Sequence, residues 1–316
     1  MIEQGRRWAV AFWRHHPRVD QTVEGLVAAT VAFQASHGLD LIKVTPAGTW
    51  QASDKGLEDA WRGDWLGRRS IERRTVVVSG DWDRVGWTET RPALVRASAV
   101  VRSVRTVLPA SLPVVQTVFS PVSIAAQLAG ADRLRDHLED EPARVMPALG
   151  RLTARTVAAI RHLRQAGADG IFLVCHVMNE GGLPACLYRR FGWEGNLACM
   201  EAASGLRWNV LHLHGSGIHL PPGPIDPAWW LHYEQSENNP SLEDCLGRFG
   251  NPLLLGLPAA ELTARAAQAG PVLDDFRRRL NGRPAILGSG CVLPLGLAAG
   301  TIDRWVSAAR AGTAAA

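Results

Sequence analysis

Tyrosine is nearly absent from this 316-residue chain, with two copies against twelve tryptophans, and cysteine and methionine are few, at five and four. The cysteines, at 175, 186, 199, 245 and 291, are odd in number and irregular in spacing. That argues against a disulfide framework and for a reducing, cytoplasmic compartment. No uninterrupted apolar run approaches the roughly 20 residues needed to span a bilayer. Arg6 and Arg7 precede a short apolar run, but Arg14, His15 and His16 interrupt it and no small-residue cleavage site follows, so a secretory signal is not expected. No block of Lys and Arg with interleaved aromatics is present, which argues against a nucleic-acid groove. No internal repeat is recognisable.

What is present is an ordinary globular composition. The chain is 47% hydrophobic and 20% charged, with a formal net charge of +4 and a pI near 9.0. A sizeable core can therefore be buried, and small anionic ligands suit the mild positive balance. The length fits one α/β barrel domain over residues 1–316. Short apolar, β-branched runs bounded by Gly, Pro or polar clusters recur near 8–13, 39–44, 113–119, 170–174, 209–213, 229–233, 252–255 and 284–287. Helical apolar spacing lies between them, near 21–36, 93–107, 122–129, 143–166, 242–248, 259–280 and 300–311. Such alternation is the pattern of βα units and predicts a single (β/α)₈ TIM barrel.

Two connections are too long to be simple loops. They run from Pro46 to about Pro92, after the second strand, and from Met178 to about Ser204, after the fourth. Excursions of that length after barrel strands are expected to wall or cover the catalytic face. Trp61, Trp65, Trp82 and Trp87 cluster in the first of them, where packing is the expected role and pocket lining the alternative.

Chemistry concentrates at the C-terminal ends of the predicted strands, where barrels carry their sites. Within Trp208-Asn-Val-Leu-His-Leu-His-Gly215, His212 and His214 are two apart on a strand and so share a face. With Cys291 after the eighth strand they make three ligands of the kinds zinc prefers, leaving a position open. The same histidines could instead stack in the barrel and cap a carbonyl, and Cys291 alone could be a small buried apolar residue. His176, His232 and Glu234 are candidate catalytic groups, and Glu234 could equally serve as a fourth ligand. Arg14, His15, Arg18 and Lys43 are candidate substrate-binding residues, with Arg14 and Arg18 spaced to clamp a carboxylate or to be ordinary surface charge. Asn238-Asn239-Pro240 is expected to turn the chain into a helix capped near Ser241.

Nearly the whole chain resembles the uroporphyrinogen decarboxylase superfamily, which includes zinc-dependent corrinoid methyltransferases. The resemblance rests on Asp40-Leu-Ile-Lys-Val-Thr-Pro46, Phe119-Ser-Pro121, Gly167-Ala-Asp-Gly-Ile-Phe172, Val210-Leu-His-Leu-His-Gly215 and Ile286-Leu-Gly-Ser-Gly-Cys291, in that order. It too implies a (β/α)₈ barrel. Arg14-His-His-Pro-Arg18 keeps the spacing of the arginines that hold substrate carboxylates in the decarboxylases. Gln127 stands near the place of their active-site tyrosine, and Ser289 where they have a histidine between glycines. In the methyltransferases zinc is held by His-x-Cys-Gly and a later cysteine, for which this chain has His212-Leu-His214-Gly215 and Cys291. Histidine in place of cysteine keeps a competent ligand and leaves a more Lewis-acidic metal.

Three functions follow as expectations. The first is a zinc enzyme that moves a methyl or other one-carbon group to a thiol, with a corrinoid protein or another donor acting in trans. The second is a metal-free decarboxylase of a carboxylated, possibly tetrapyrrole-like molecule. The third is a barrel that binds such a ligand without catalysis. A small carboxylated substrate and a homodimer are expected partners, and nucleic acid and membrane are not. On the first reading His214→Ala abolishes metal retention, whereas His232→Ala alters turnover and leaves the metal in place.

Overall fold

The computed structural model describes residues 8–86 and 91–311, so Arg6, Arg7 and Trp87 lie outside it. Among the described residues ten strands form in chain order: β1 (Ala9–Ala11), β2 (Ile42–Val44), β3 (Glu58–Ala60), β4 (Ser70–Arg73), β5 (Val114–Phe119), β6 (Gly170–Cys175), β7 (Val210–Leu213), β8 (Trp230–Glu234), β9 (Leu253–Leu257) and β10 (Ala285–Ser289). Eight of them make one sheet in the order β1-β10-β9-β8-β7-β6-β5-β2, parallel at every pairing. These strands are almost wholly buried, as strands must be when helices cover one face of a sheet and a packed interior fills the other. The seam between β1 and β2 is drawn together by Asp40. Its backbone N–H donates to the Val10 carbonyl at 2.9 Å, and its carboxylate accepts the Val10 N–H at 2.9 Å. The architecture is a TIM barrel, and each of the eight expected strand regions coincides with an observed strand.

The helical pattern differs from expectation in several places, one of them an additional helix, Ala131–Asp140, between those expected over 122–129 and 143–166. The predicted helix over 259–280 is divided into Ala259–Ala264, a 3-10 turn at Ala266–Gln268 and Ala269–Leu280. Pro271 falls in the first turn of the last of these, where its missing N–H needs no partner within the helix, whereas in one unbroken helix it would leave the Ala267 carbonyl unbonded and crowd it. The connection over 178–204 forms two helices, Ala185–Phe191 and Trp193–Ala202. The second packs against the long helix Pro142–Gln165 on the outside of the barrel, so this excursion is mostly barrel layer rather than cover.

The excursion after β2 does reach the mouth. Its hairpin, β3 and β4, is antiparallel and separate from the barrel sheet. The loop between these strands is fastened at both sides. Leu295 N–H, in the loop after β10, donates to the Trp65 carbonyl at 2.8 Å. Arg69 donates to Asp59 at 2.6 Å, and to Asp20 and the Pro17 carbonyl, both at 3.2 Å, in the loop after β1. The excursion therefore acts as a strap across the barrel end. Within the excursion Trp82 is wholly buried, its indole N–H donating to His137 Nδ1 at 3.0 Å, while Trp65 is 61% exposed, so its tryptophans do not share one role. Among the described residues no helix is long and apolar enough to cross a membrane.

Candidate metal centre

Alternation along β7 sends His212 into the barrel and returns His214, just past the strand, to the same side. His214 stays in register because its N–H donates to the Cys175 carbonyl at 3.2 Å, extending the ladder by one residue. Cys291 reaches them from the end of β10. Gly290 permits that approach, since a Cβ there would lie 2.4 Å from the Glu234 side chain. His212 Nε2 and His214 Nδ1 are 3.4 Å apart, and Cys291 Sγ is 3.7 Å from His214 Nδ1. One donor atom from each of the three lies within 4.8 Å of the others. The sequence-predicted trio therefore converges.

The rings beneath are packed into a plug across the barrel. Trp13, Phe172, His212 and His232 have centroids 4.6–5.5 Å apart. His232 is fully buried, with Nδ1 2.6 Å from His212 Nδ1 and Nε2 3.0 Å from the Ser289 carbonyl. It sits behind His212, away from the cavity. Ser289 also donates its hydroxyl to the Cys291 carbonyl at 3.0 Å.

Above the plug opens a cavity of about 440 Å³, lined by His15, Lys43, Arg68, His176, His212, His214 and Cys291 among others. Its size suits a small organic molecule. Burial is the main cause of the proton affinities around it. It pushes His212 well below the usual imidazole range, and the neighbouring His232 and His214 push the same way. His214 falls to about 4, through burial and then the Arg68 guanidinium, with Glu234 opposing. His176 is exposed and stacked on His214 at 4.5 Å, and the surrounding protein, then His214 and Arg68, lower its proton affinity. His15 falls to about 3 through burial and then Lys43. All four rings are thus neutral near pH 7, the form that can coordinate a metal. Burial raises the Cys291 thiol and Lys43 opposes that rise; burial also raises Glu234, while His214 lowers it.

Lys43 is set apart from the other cations. Its ammonium lies 4.7 Å from the Phe172 ring centre and 5.2 Å from that of Trp13, and it donates to the Thr45 hydroxyl at 3.3 Å. No carboxylate pairs with it among the described residues. Burial brings its pKa down to about 7, with Cys291 opposing.

The remaining sequence candidates divide. His15, Lys43 and His176 line the cavity. Glu234 is half-buried and interacts electrostatically with His214 and Cys291. Arg14 instead borders a separate void of about 10 Å³ and packs over Phe33, and Arg18 is exposed over Trp61. The two arginines therefore do not converge on the cavity. Gln127 does line it, with Nε2 donating to the Gly48 carbonyl at 2.9 Å and Oε1 buried without a partner. Sequence reasoning missed Arg68, which arrives on the strap, and two asparagines that fix the loops. Asn179 donates to the His176 and His214 carbonyls at 3.0 and 2.7 Å, holding those two rings in register. Asn239 donates to the Gly215 and Glu234 carbonyls at 3.0 and 2.9 Å. Asn239 was read only as part of a turn. The expected cap at Ser241 is present, with its hydroxyl accepting the Asp244 N–H at 3.1 Å.

The uroporphyrinogen decarboxylase family model matches residues 80–222. No curated protein matches the chain by sequence. Among solved structures, a methyltransferase from Methanosarcina mazei superposes with a TM-score of 0.76 at 15% identity, covering 96% of this chain and 93% of that one. A B12-independent methionine synthase from Shewanella sp. W3-18-1, solved in complex with selenomethionine, superposes with a TM-score of 0.56 at 14% identity, covering 96% of this chain and 91% of that one. At such identities the shared property is the fold. The chain therefore carries a match to the uroporphyrinogen decarboxylase family on a barrel of the kind its strand-end motifs imply.

Proposed function

We propose that this chain is a zinc-centred barrel enzyme that transfers a methyl or other one-carbon group to a thiol, with a corrinoid-bound or other methyl donor supplied in trans. The observation that carries the reading is the meeting of His212, His214 and Cys291 donor atoms within 4.8 Å at the floor of a cavity. Two neutral imidazoles and one thiol, drawn from two different strand ends, fit zinc by donor type and number, with room for a further ligand. The neighbours with methyltransferase and methionine synthase activity support the direction of this reading.

Bound there, zinc supplies Lewis acidity that makes a thiol nucleophilic at neutral pH. The residues around the donor set divide the remaining work. Lys43 offers a desolvated cation to a carboxylate or similar anion on the substrate. Trp13 and Phe172 give the apolar faces between that cation and the histidines. Glu234, with its proton affinity raised by burial, is placed near His214 and Cys291 as an acceptor for the proton the thiol gives up. The strap, through Arg68 and Arg69, contributes part of the cavity wall.

The test is elemental analysis of untagged protein beside Cys291→Ser, followed by methylation assays with small carboxylated thiols. Near-stoichiometric zinc that collapses in the variant is the expected result. Wild-type protein that takes up no zinc, even when zinc is supplied, would overturn the reading.

A further inference from the structure

We propose that His232 is a positioning residue for the metal centre, which locks His212 as the Nδ1–H tautomer so that His212 Nε2 presents its lone pair beside His214 and Cys291. This inference rests on the zinc reading above for its purpose, but its geometry stands by itself.

The argument is an accounting of protons. A backbone carbonyl only accepts, so the 3.0 Å contact between His232 Nε2 and the Ser289 oxygen requires the His232 proton on Nε2. A neutral imidazole has one N–H, so His232 Nδ1 is left as an acceptor. Its partner at 2.6 Å is His212 Nδ1, which must then donate. His212 in turn has its lone pair on Nε2, the atom 3.4 Å from His214 Nδ1. Each step is forced by the one before it. The direction of the whole chain is set by one carbonyl at its far end.

That carbonyl belongs to Ser289, two residues before Cys291, and the Ser289 hydroxyl also holds the Cys291 carbonyl at 3.0 Å. His232 therefore joins the two halves of the donor set, β7 with its histidines and the end of β10 with its thiol. Its own ring has little freedom. Trp13 meets it edge-on at 5.4 Å and Phe172 at 5.5 Å. On the other side the absence of a side chain at Gly256 leaves room, since a Cβ there would lie 3.0 Å from His232 Nε2. A partner on the non-coordinating nitrogen of a histidine ligand sets its tautomer and orientation, and losing one typically costs 10- to 100-fold in metal affinity. The burial of His232 thus reverses the expectation from sequence, in which its substitution would alter turnover and spare the metal.

Two substitutions separate chemistry from packing. In His232→Gln the side-chain amide can donate to Ser289 and accept from His212, whereas His232→Leu keeps bulk and removes both bonds. Zinc affinity, measured by competition with a chromophoric chelator, is expected to fall roughly 10- to 100-fold in the Leu variant and to stay near wild type in the Gln variant. The cobalt-substituted proteins should follow, with a visible absorption spectrum altered in Leu and preserved in Gln. Independently, imidazole nitrogen chemical shifts of metal-free wild type should show His212 protonated at Nδ1. A Leu variant that binds zinc as tightly as wild type, or a His212 protonated at Nε2, would overturn the proposal. Wild type that binds no zinc, together with a His212 protonated at Nδ1, would sink the zinc reading while leaving the hydrogen-bond chain in place.

Discussion

The two walls of the cavity are built differently. On the side of β7, β8 and β10, polar atoms are answered by neighbours: His212 by His232, His232 by Ser289, and the Gly215 and Glu234 carbonyls by Asn239. On the side of β1 and β2, Lys43 has aromatic faces and one hydroxyl but no counter-ion, and His15 Nδ1 is buried without a partner. A wall whose hydrogen bonds are complete is organised before anything binds, and it suits an ion held permanently. A wall with unanswered charge is completed by what comes and goes, because a buried polar group without a partner is costly until a ligand supplies one. On the zinc reading proposed above, the difference separates a cofactor side from a substrate side within one cavity.

Removing the charge from the substrate side is expected to have the largest effect on turnover. Lys43→Met should raise KM for an anionic thiol roughly 10- to 100-fold, the range for one charge-assisted hydrogen bond in a dry site, and leave zinc content unchanged. The pH dependence follows from the lowering of Lys43 to about 7. Below that value the amine is a cation and holds the anion; as pH rises through it, binding should weaken, and this step should vanish in Lys43→Met. Stability should move the other way. Between about 7 and the unfolded value near 10.5 the unfolded chain binds the extra proton, so the empty protein gains stability as pH rises across that window. Kinetics and denaturant melts against pH check both signs. The choice of amine is notable in a chain with two lysines, Lys43 and Lys55, among its 34 cationic side chains. Arginine could not release its proton there.

Disturbing the cofactor side from behind should show up in stability and metal affinity together. A Cβ at Gly256 would lie 2.5 Å from the Tyr233 carbonyl oxygen, 2.8 Å from Gly290 Cα and 3.0 Å from His232 Nε2. Two of these are backbone atoms that cannot turn aside. Gly256→Ala should therefore cost roughly 1–3 kcal/mol, the usual range for overpacking a filled interior, and weaken zinc binding. Urea melts and zinc titration of the same variant check whether the two losses occur together. Intact zinc binding in a destabilised variant would break the link between β9 packing and the donor set.

The same contrast governs what could be read from sequence. The eight strands were legible because buried parallel strands are continuous apolar runs, and His212 and His214 because period two puts them on one face. Cys291 was legible only as a chemical type after the last strand. The helix Trp193–Ala202 was missed because its apolar residues show almost no one-sided pattern, and β3 and β4 because strands of three or four residues with one apolar residue each leave no periodic trace. His232 was found by its place at a strand end but given the wrong neighbourhood. Its position behind His212 depends on barrel register, His212 beside His232, which a one-dimensional pattern does not contain. Arg14 and Arg18 were the opposite case, a spacing that resembles a carboxylate clamp but is not aimed at the cavity.

The smallest expected effect is therefore the sharpest test of that last point. Arg18 is exposed over Trp61, and an exposed cation–π contact contributes only about 0.5–1 kcal/mol. Arg14 lies over Phe33 beside a void too small for a substrate. If the substrate anion is held by Lys43, then Arg18→Gln should leave KM, zinc content and the pH step near 7 unchanged. Arg14→Gln should do the same, apart from a modest loss of stability. If instead the two arginines form the clamp that their spacing suggests in sequence, each substitution alone should raise KM as strongly as Lys43→Met. Steady-state kinetics on the three single variants decides between them. A KM effect in the arginine variants would move the substrate out of the cavity beside the metal centre and toward the loop after β1, which would favour carboxylate chemistry without the metal.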